Sequence, residues 1–356
     1  MNSLRACLRS WPLAAAVSVA ALLTGCSTTP PGTIQGALTG IGTGSAQGAV
    51  SAWSQMWSKE NSGVSVVYSP DGGAAGQKAL LTGQAHFAVA ASPLPENDAL
   101  SAEGACGPGG AFSIAAGVVP VGIAIKVEGI DKLLLDGSSL ANILLGNTKK
   151  WNDPEIQRLN SGADLPDTDI ELILENGPSD VIQAVNSYLT AEAPSLWPRS
   201  DAANEWPSEV DTRTKAKPLD RANMLNESDG GLSIFEGSLI GTRFVTAALG
   251  FGGVYSQFDG ASVLSAVASG SASSSPSGTV QTLNGSKGYA LAIVDYVYLC
   301  KNYKNERLSA LARSFGTKLL GPDSQKNANV NAFVMSPSKE ALTTGLALVN
   351  SIGETR

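Results

Sequence analysis

Three stretches of the chain place small and hydroxyl residues just ahead of a helical pattern: Gly40-Ile41-Gly42-Thr43-Gly44-Ser45, Gly72-Gly73-Ala74-Ala75-Gly76 and Asn176-Gly177-Pro178-Ser179. A helix start gathers unpaired N–H groups and about half a positive charge, so such turns can cradle an oxyanion. The chemistry on offer is recognition of a small anion through backbone donors. Taken singly, each turn has a plainer use as chain reversal before a helix. Gly40-x-Gly42 also hints at a dinucleotide turn, but Ser45 stands where the third glycine belongs and no acid follows about twenty residues on after a strand.

Catalysis lacks its parts. His86 is the single histidine and sits in the apolar run Ala85-His86-Phe87-Ala88-Val89, which fits a core or strand-end role. There is no Gly-x-Ser-x-Gly elbow and no metal-ligand cluster, so serine hydrolysis and zinc chemistry are excluded, and no cofactor is implied. Ser336-Pro337-Ser338-Lys339 fits Ser-x-x-Lys, but no Lys-Thr-Gly follows, and Ser336-Pro337 reads as the cap of a last helix.

The cysteines point outside the cytoplasm. Arg5 and Arg9 precede the apolar run Leu13 to Leu23, which is far shorter than the roughly 20 residues a membrane-spanning helix needs. Leu23-Thr24-Gly25-Cys26 closes it in the manner of a lipobox, whose cysteine carries lipid and becomes the new N-terminus. Residues 1–25 are therefore expected to be a lipoprotein signal and 26–37 a lipidated tether, holding the protein on the outer face of the cytoplasmic membrane. Cys106 and Cys300 remain; in an oxidising compartment they suit one disulfide, with two buried free thiols as the alternative.

The chain has 356 residues, 24 Lys and Arg against 31 Asp and Glu, and a net charge of -7. That sign excludes nucleic acid as a partner, and there is no polybasic patch for anionic lipid, so membrane attachment rests on Cys26.

The elements that must position the turns follow an α/β pattern. Val64 to Tyr68 and His86 to Ala90 read as strands. Val50, Trp53 and Trp57 share one helical face, and Ala75 to Leu81 is a second helix. Gly117 to Val127, apolar without helical period, reads as a buried strand crossing between lobes. Residues 138–146 read as a helix with a serine start and a glycine stop, 170–174 as a strand, and Asp180 to Thr190 as a helix burying Val181, Val185, Tyr188 and Leu189. Ser200 to Asp229 looks like a long surface loop and Gly270 to Gly278 a mobile linker. Tyr289 to Cys300 returns to a buried strand or apolar helix, and Leu342, Leu346 and Val349 share a face of the last helix.

Taken together, the motifs resemble the phosphate-specific substrate-binding proteins of bacterial ABC importers, more closely their actinobacterial lipoproteins. The resemblance is carried by Thr39-Gly40-Ile41-Gly42 with Ser45-Ala46-Gln47 and Trp53, by Tyr68-Ser69-Pro70 with Gly72 and Gly76, and by Phe87 with Ser92-Pro93-Leu94. It continues through Leu133 to Asp136, Leu145-Gly146, Lys150 to Asp153, Leu165-Pro166 and Ser187-Tyr188-Leu189, and ends in Tyr289 to Cys300. It implies a two-lobe type II periplasmic-binding-protein fold, α/β, with a ligand cleft between lobes joined by crossing strands. Lobe 1 would take 38–118 and 248–356, lobe 2 would take 119–247. It also implies a Cys106–Cys300 disulfide, a small solute or anion in the cleft, an ABC permease as partner, and action as a monomer.

The ligand residues implied by the resemblance depart from the family pattern. The first-turn hydroxyl position falls on Gly44, with Ser45 and Ala46 beside it; the second-turn serine falls on Gly73, next to Ala74. The aspartate that accepts a phosphate proton falls on Ala91. The family's arginine falls on Glu175 and its aspartate partner on Gly177, while the following Ser-Gly-Thr falls on Ser179, Asp180 and Val181. A divalent anion beside Glu175 with no arginine would meet like charge in a low-dielectric cleft, at several kcal/mol, which three helix starts at about 0.3 to 1 kcal/mol each do not offset. The expectation is a solute-binding lipoprotein with a degenerate phosphate site, in which Glu175 or Asp180 fills the anion position or recognises a cationic or hydroxylated ligand. The alternative is a binding module that keeps the fold for a cell-envelope or protein partner.

Overall fold

The structure is a computed structural model and describes residues 34–198, 203–212 and 217–354. The expected signal, the lipid site Cys26 and the tether up to Thr33 lie outside the described residues. No helix among those described is long and apolar enough to cross a membrane.

The chain enters as β1 (Gly36–Gly42), α1 (Gln47–Glu60), β2 (Val64–Ser69), α2 (Gly73–Leu81) and β3 (Phe87–Ala90). β1 pairs in parallel with both β2 and β3, Gly40 lying opposite Tyr68 on one side and Phe87 on the other. Parallel neighbours need crossovers, which α1 and α2 supply. Val50, Trp53 and Trp57 are buried on one face of α1, as their spacing predicts. His86 takes its strand-end role: Nδ1 accepts the Thr39 N–H at 2.9 Å.

α3 (Glu96–Ser101) and α4 (Glu103–Cys106) lead into β4 (Ala111–Val127), whose residues are buried except Lys126. Ala111 to Pro120 pairs antiparallel with the late strand Ala292–Cys300, and Val121 to Val127 pairs with Gly230–Glu236. One strand thus serves two sheets and joins the lobes, which is why its sequence reads as an unbroken apolar run.

Beyond it come β5 (Leu134–Leu135), α5 (Gly137–Leu144), α6 (Pro154–Leu159), β6 (Glu171–Leu172), α7 (Asp180–Glu192), α8 (Pro218–Glu227) and β7 (Gly230–Glu236). α5 begins on Asp136 rather than on a serine: Asp136 accepts the Ser139 N–H at 2.8 Å, and the Ser139 hydroxyl accepts the Asp136 N–H at 2.9 Å. The expected strand at 170–174 is only the two residues of β6. α7 buries Val181, Val185, Tyr188 and Leu189 as expected. The expected loop over 200–229 is corrected by α8, which buries Arg221, Ala222 and Leu225.

α9 (Gly237–Ile240), β8 (Val245–Thr246), β9 (Ala248–Phe251), β10 (Val254–Ser256) and α10 (Gly260–Ala268) follow, with β10, β9 and β5 forming a small separate sheet. The stretch expected to be a mobile linker is instead a hairpin, β11 (Ala272–Ser275) and β12 (Gly278–Gln281), on the edge of the first sheet. Its serines are exposed because an edge strand needs polar side chains, and composition alone reads such a strand as a linker. β13 (Ala292–Cys300) settles the strand-or-helix ambiguity in favour of a strand.

α11 (Glu306–Leu320), α12 (Pro322–Ala332) and α13 (Lys339–Asn350) close the chain. The cap of α13 is Ser338, which accepts the Ala341 N–H at 3.2 Å; Ser336-Pro337 lies outside the helix. Cys106, ending α4, is joined to Cys300, ending β13, with Cα atoms 4.8 Å apart.

Candidate functional site

The first turn is shaped by the loss of two Cβ atoms. A Cβ on Gly40 would lie 2.1 Å from the Phe87 ring and one on Gly42 would lie 2.2 Å from the Val89 carbonyl, so these glycines admit β3 against β1. Thr43 and Ser45 follow, both buried. Thr43 donates its N–H to Val89 at 3.0 Å, and its carbonyl accepts Tyr68 Oη at 2.7 Å. The two hydroxyls stand 2.9 Å apart, and Ser45 donates to Asp295 Oδ1 on β13 at 3.0 Å. α1 then begins at Ala46 with neither a capping side chain nor an acid in its first turn. Gly44 is exposed, in open space.

The second turn contributes only backbone. Gly72 has φ +99°, and a Cβ on Gly73 would sit 3.0 Å from the Ala90 Cβ, so glycine lets α2 settle on β3. Ala74 is exposed and Ala91 half-buried.

The third turn carries the charge. Gly177 has φ +107°, a conformation that favours glycine. Ser179 caps α7 by accepting the Ile182 N–H at 3.1 Å and donates to Glu175 Oε1. Asp180, the first residue of α7, reaches the first turn and accepts a hydrogen bond from the Thr43 hydroxyl. Glu175 is not alone: Arg221 Nη2 of α8 donates to its Oε2 at 3.1 Å. That guanidinium is 3% exposed, lies 5.1 Å from the centre of the Phe235 ring and has no partner for Nε among the described residues.

Sequence reasoning missed Arg221, Thr43, Asp295 and Glu236 as members of this cluster. Arg221 was legible in part, since Pro218 at a helix start with Arg221, Ala222 and Leu225 behind it is a short inward face. The uncompensated charge expected at Glu175 is thereby corrected.

Three acids remain beyond that pair. Asp295 is fully buried and its Oδ2 has no partner among the described residues. Burial pushes its carboxyl well above the ordinary range; Asp180 and Glu236 push the same way against the Ser45 hydrogen bond. Burial, with Glu175 nearby, raises Asp180 to about 6. Glu236 rises to about 7 through burial and then through Glu175 and Asp180, with Arg221 opposing. An anion entering the turn meets carboxylates, and Arg221, the guanidinium that reaches them among the described residues, is already engaged by Glu175.

Beside the Thr43–Asp180 contact lies a cleft of about 600 Å³, walled by one face of α7, the first half of β13, and Ala91 to Pro93 after β3. Of the residues expected at the site, Asp180 and Ala91 line this cleft. Ser45, Glu175 and Ser179 belong to the hydrogen-bonded cluster, while Gly44, Ala46, Gly73, Ala74 and Gly177 shape the turns. Among the described residues no group of three His, Cys, Asp or Glu is placed to hold a metal ion.

Residues 27–322 match the PBP superfamily domain, and the chain belongs to that family. Curated relatives include phosphate-binding protein PstS 3 of Mycobacterium leprae, 32% identical over 135 residues, and PstS 2 of Mycobacterium tuberculosis, 33% identical over 138 residues. Each alignment covers 38% of this chain and 36% or 37% of the relative, so the chain spans little more than a third of their length. Among solved structures, a phosphate-binding protein from Stenotrophomonas maltophilia superposes with a TM-score of 0.65 at 16% identity, over 88% of this chain and 94% of that one. A human phosphate binding apolipoprotein gives 0.66 at 14% identity, over 87% and 93%. The fold is the two-lobe type II periplasmic-binding-protein architecture, and the resemblance drawn from the turn motifs agrees. The relatives are named as binding proteins, not enzymes.

Proposed function

We propose that the chain is a monomeric solute-binding lipoprotein, anchored outside the cytoplasm through Cys26, that passes its solute to an ABC permease and whose anion turn is closed to phosphate. The observation that carries this is the hydrogen bond from Thr43 to Asp180: a carboxylate from one lobe sits in the turn of the other where the family resemblance puts the ligand. Phosphate would have to displace Asp180 and then face it. Two unit charges about 4 Å apart repel by roughly 4 kcal/mol at an effective dielectric of about 20, more than the helix starts return. Arg221 does not relieve this, since Glu175 holds it.

Isothermal titration with inorganic phosphate tests the proposal on the wild type and on Asp180→Gly, which restores the residue the family has there. The wild type is expected to bind no phosphate below about millimolar, and the variant to gain affinity. Micromolar binding by the wild type would overturn the reading.

A further inference from the structure

The cleft beside the turn lies between a helix and a strand. α7 presents Asp180, Gln183, Ala184 and Ser187, spaced as one helical face, and β13 lines the other side with Ala292, Ile293, Val294 and Tyr296. The space between them exists because these side chains are short; larger residues at 184 and 292 would fill it. Its volume, about 600 Å³, falls within the roughly 300 to 1,000 Å³ of small-molecule sites and would be left mostly empty by an inorganic anion.

Its charge is of one sign. Among the described residues, the charged ones lining it are Asp180 and Glu192, and no lysine, arginine or histidine joins them. Glu192 is held in place by the Gly252 N–H at 2.9 Å from Oε2. Behind Asp180 stands Asp295, fully buried with one carboxyl oxygen unpartnered among the described residues. The walls between the acids mix the apolar Ala184, Phe251 and Tyr296 with the uncharged polar Gln183 and Ser187.

We propose that this cleft, rather than the glycine turns, is the solute site, and that it takes a small organic cation: an amine on an apolar body, the amine at a carboxylate and the body against α7 and β13. The proposal rests on the solute-binding reading above and names the ligand class that reading leaves open. A cation gains from the acid it sits beside, an uncharged solute gains only burial, and an anion is repelled.

Three probes with the same four-carbon chain separate these cases: putrescine, butanediol and succinate, each titrated calorimetrically at neutral pH. Putrescine is expected to bind at least about tenfold more tightly than butanediol, and succinate not at all. Asp180→Asn should weaken putrescine by about tenfold, whereas Glu192→Gln, at the far end of α7 and about 18 Å away, should change it by less than about twofold. Ala184→Trp, which fills the cleft from α7, should abolish binding while the circular dichroism spectrum and melting transition stay in place. Succinate binding, equal affinity for putrescine and butanediol, no binding of putrescine, or putrescine binding that survives Ala184→Trp would each overturn the proposal. The outcome is independent of the phosphate titration: butanediol binding lost in Ala184→Trp would sink the cation assignment and leave the solute-binding reading standing.

Discussion

Arg221 and Glu175 are 46 positions apart and meet at 3.1 Å between Nη2 and Oε2, the guanidinium lying 5.1 Å from the centre of the Phe235 ring. The pair ties α8 to the segment that turns into α7, so the helix bearing Asp180 is held from behind by a buried ion pair.

Breaking that pair leaves a buried charge without its partner. Arg221→Met is expected to lower unfolding stability by about 3 to 5 kcal/mol, and Glu175→Gln by a comparable amount, whereas the double variant Arg221→Met/Glu175→Leu recovers most of the loss. Urea denaturation of the three variants checks this, and strictly additive losses would refute it.

The acids make stability depend on pH in a defined direction. Glu236 rises from an ordinary value near 4.5 to about 7 on folding, and Asp180 from 3.8 to about 6. The folded state therefore binds protons more tightly, and their contribution is fully present below the unfolded values and is lost as pH rises through the folded ones. For Glu236 the decline from pH 4.5 to 7 is on the order of 3 kcal/mol. Melting curves across that window should fall with pH in the wild type and flatten in Glu236→Gln.

Cys106 and Cys300 close a loop of sequence separation 194. Replacing both with alanine is expected to cost about 2 to 5 kcal/mol, read as a lower melting temperature, and dithiothreitol should shift the wild type and leave the variant unmoved.

The anchor is tested on the full chain in a bacterial host. The wild type should partition into the detergent phase and carry acyl mass on a peptide beginning at Cys26, while Cys26→Ser should enter the aqueous phase. An unmodified Cys26 would remove the membrane attachment from the proposal.

Elements whose side chains obey a single period were legible in the sequence. α1 announced itself through Val50, Trp53 and Trp57, and β4 through an apolar run that only a strand buried on both faces explains. The β11–β12 hairpin did not, because it is held by backbone hydrogen bonds and three of the four side chains of β11 are serines. α8 was hidden by the polar residues around it. At the site, the three turns were readable because glycine is demanded locally, but which side chains meet there was not. The contacts of Thr43 with Asp180 and of Arg221 with Glu175 join segments 137 and 46 residues apart, and composition carries no trace of either.

The ladder between β13 and β4 shifts register between Asp295 and Tyr296, and this bulge lies where the strand serves two compartments. Asp295 is bonded to Ser45 in the glycine turn, while Val294 and Tyr296 wall the cleft. One peptide segment therefore borders both the glycine turn and the cleft, so a ligand seated against Val294 or Tyr296 lies one residue from the bond between Asp295 and Ser45.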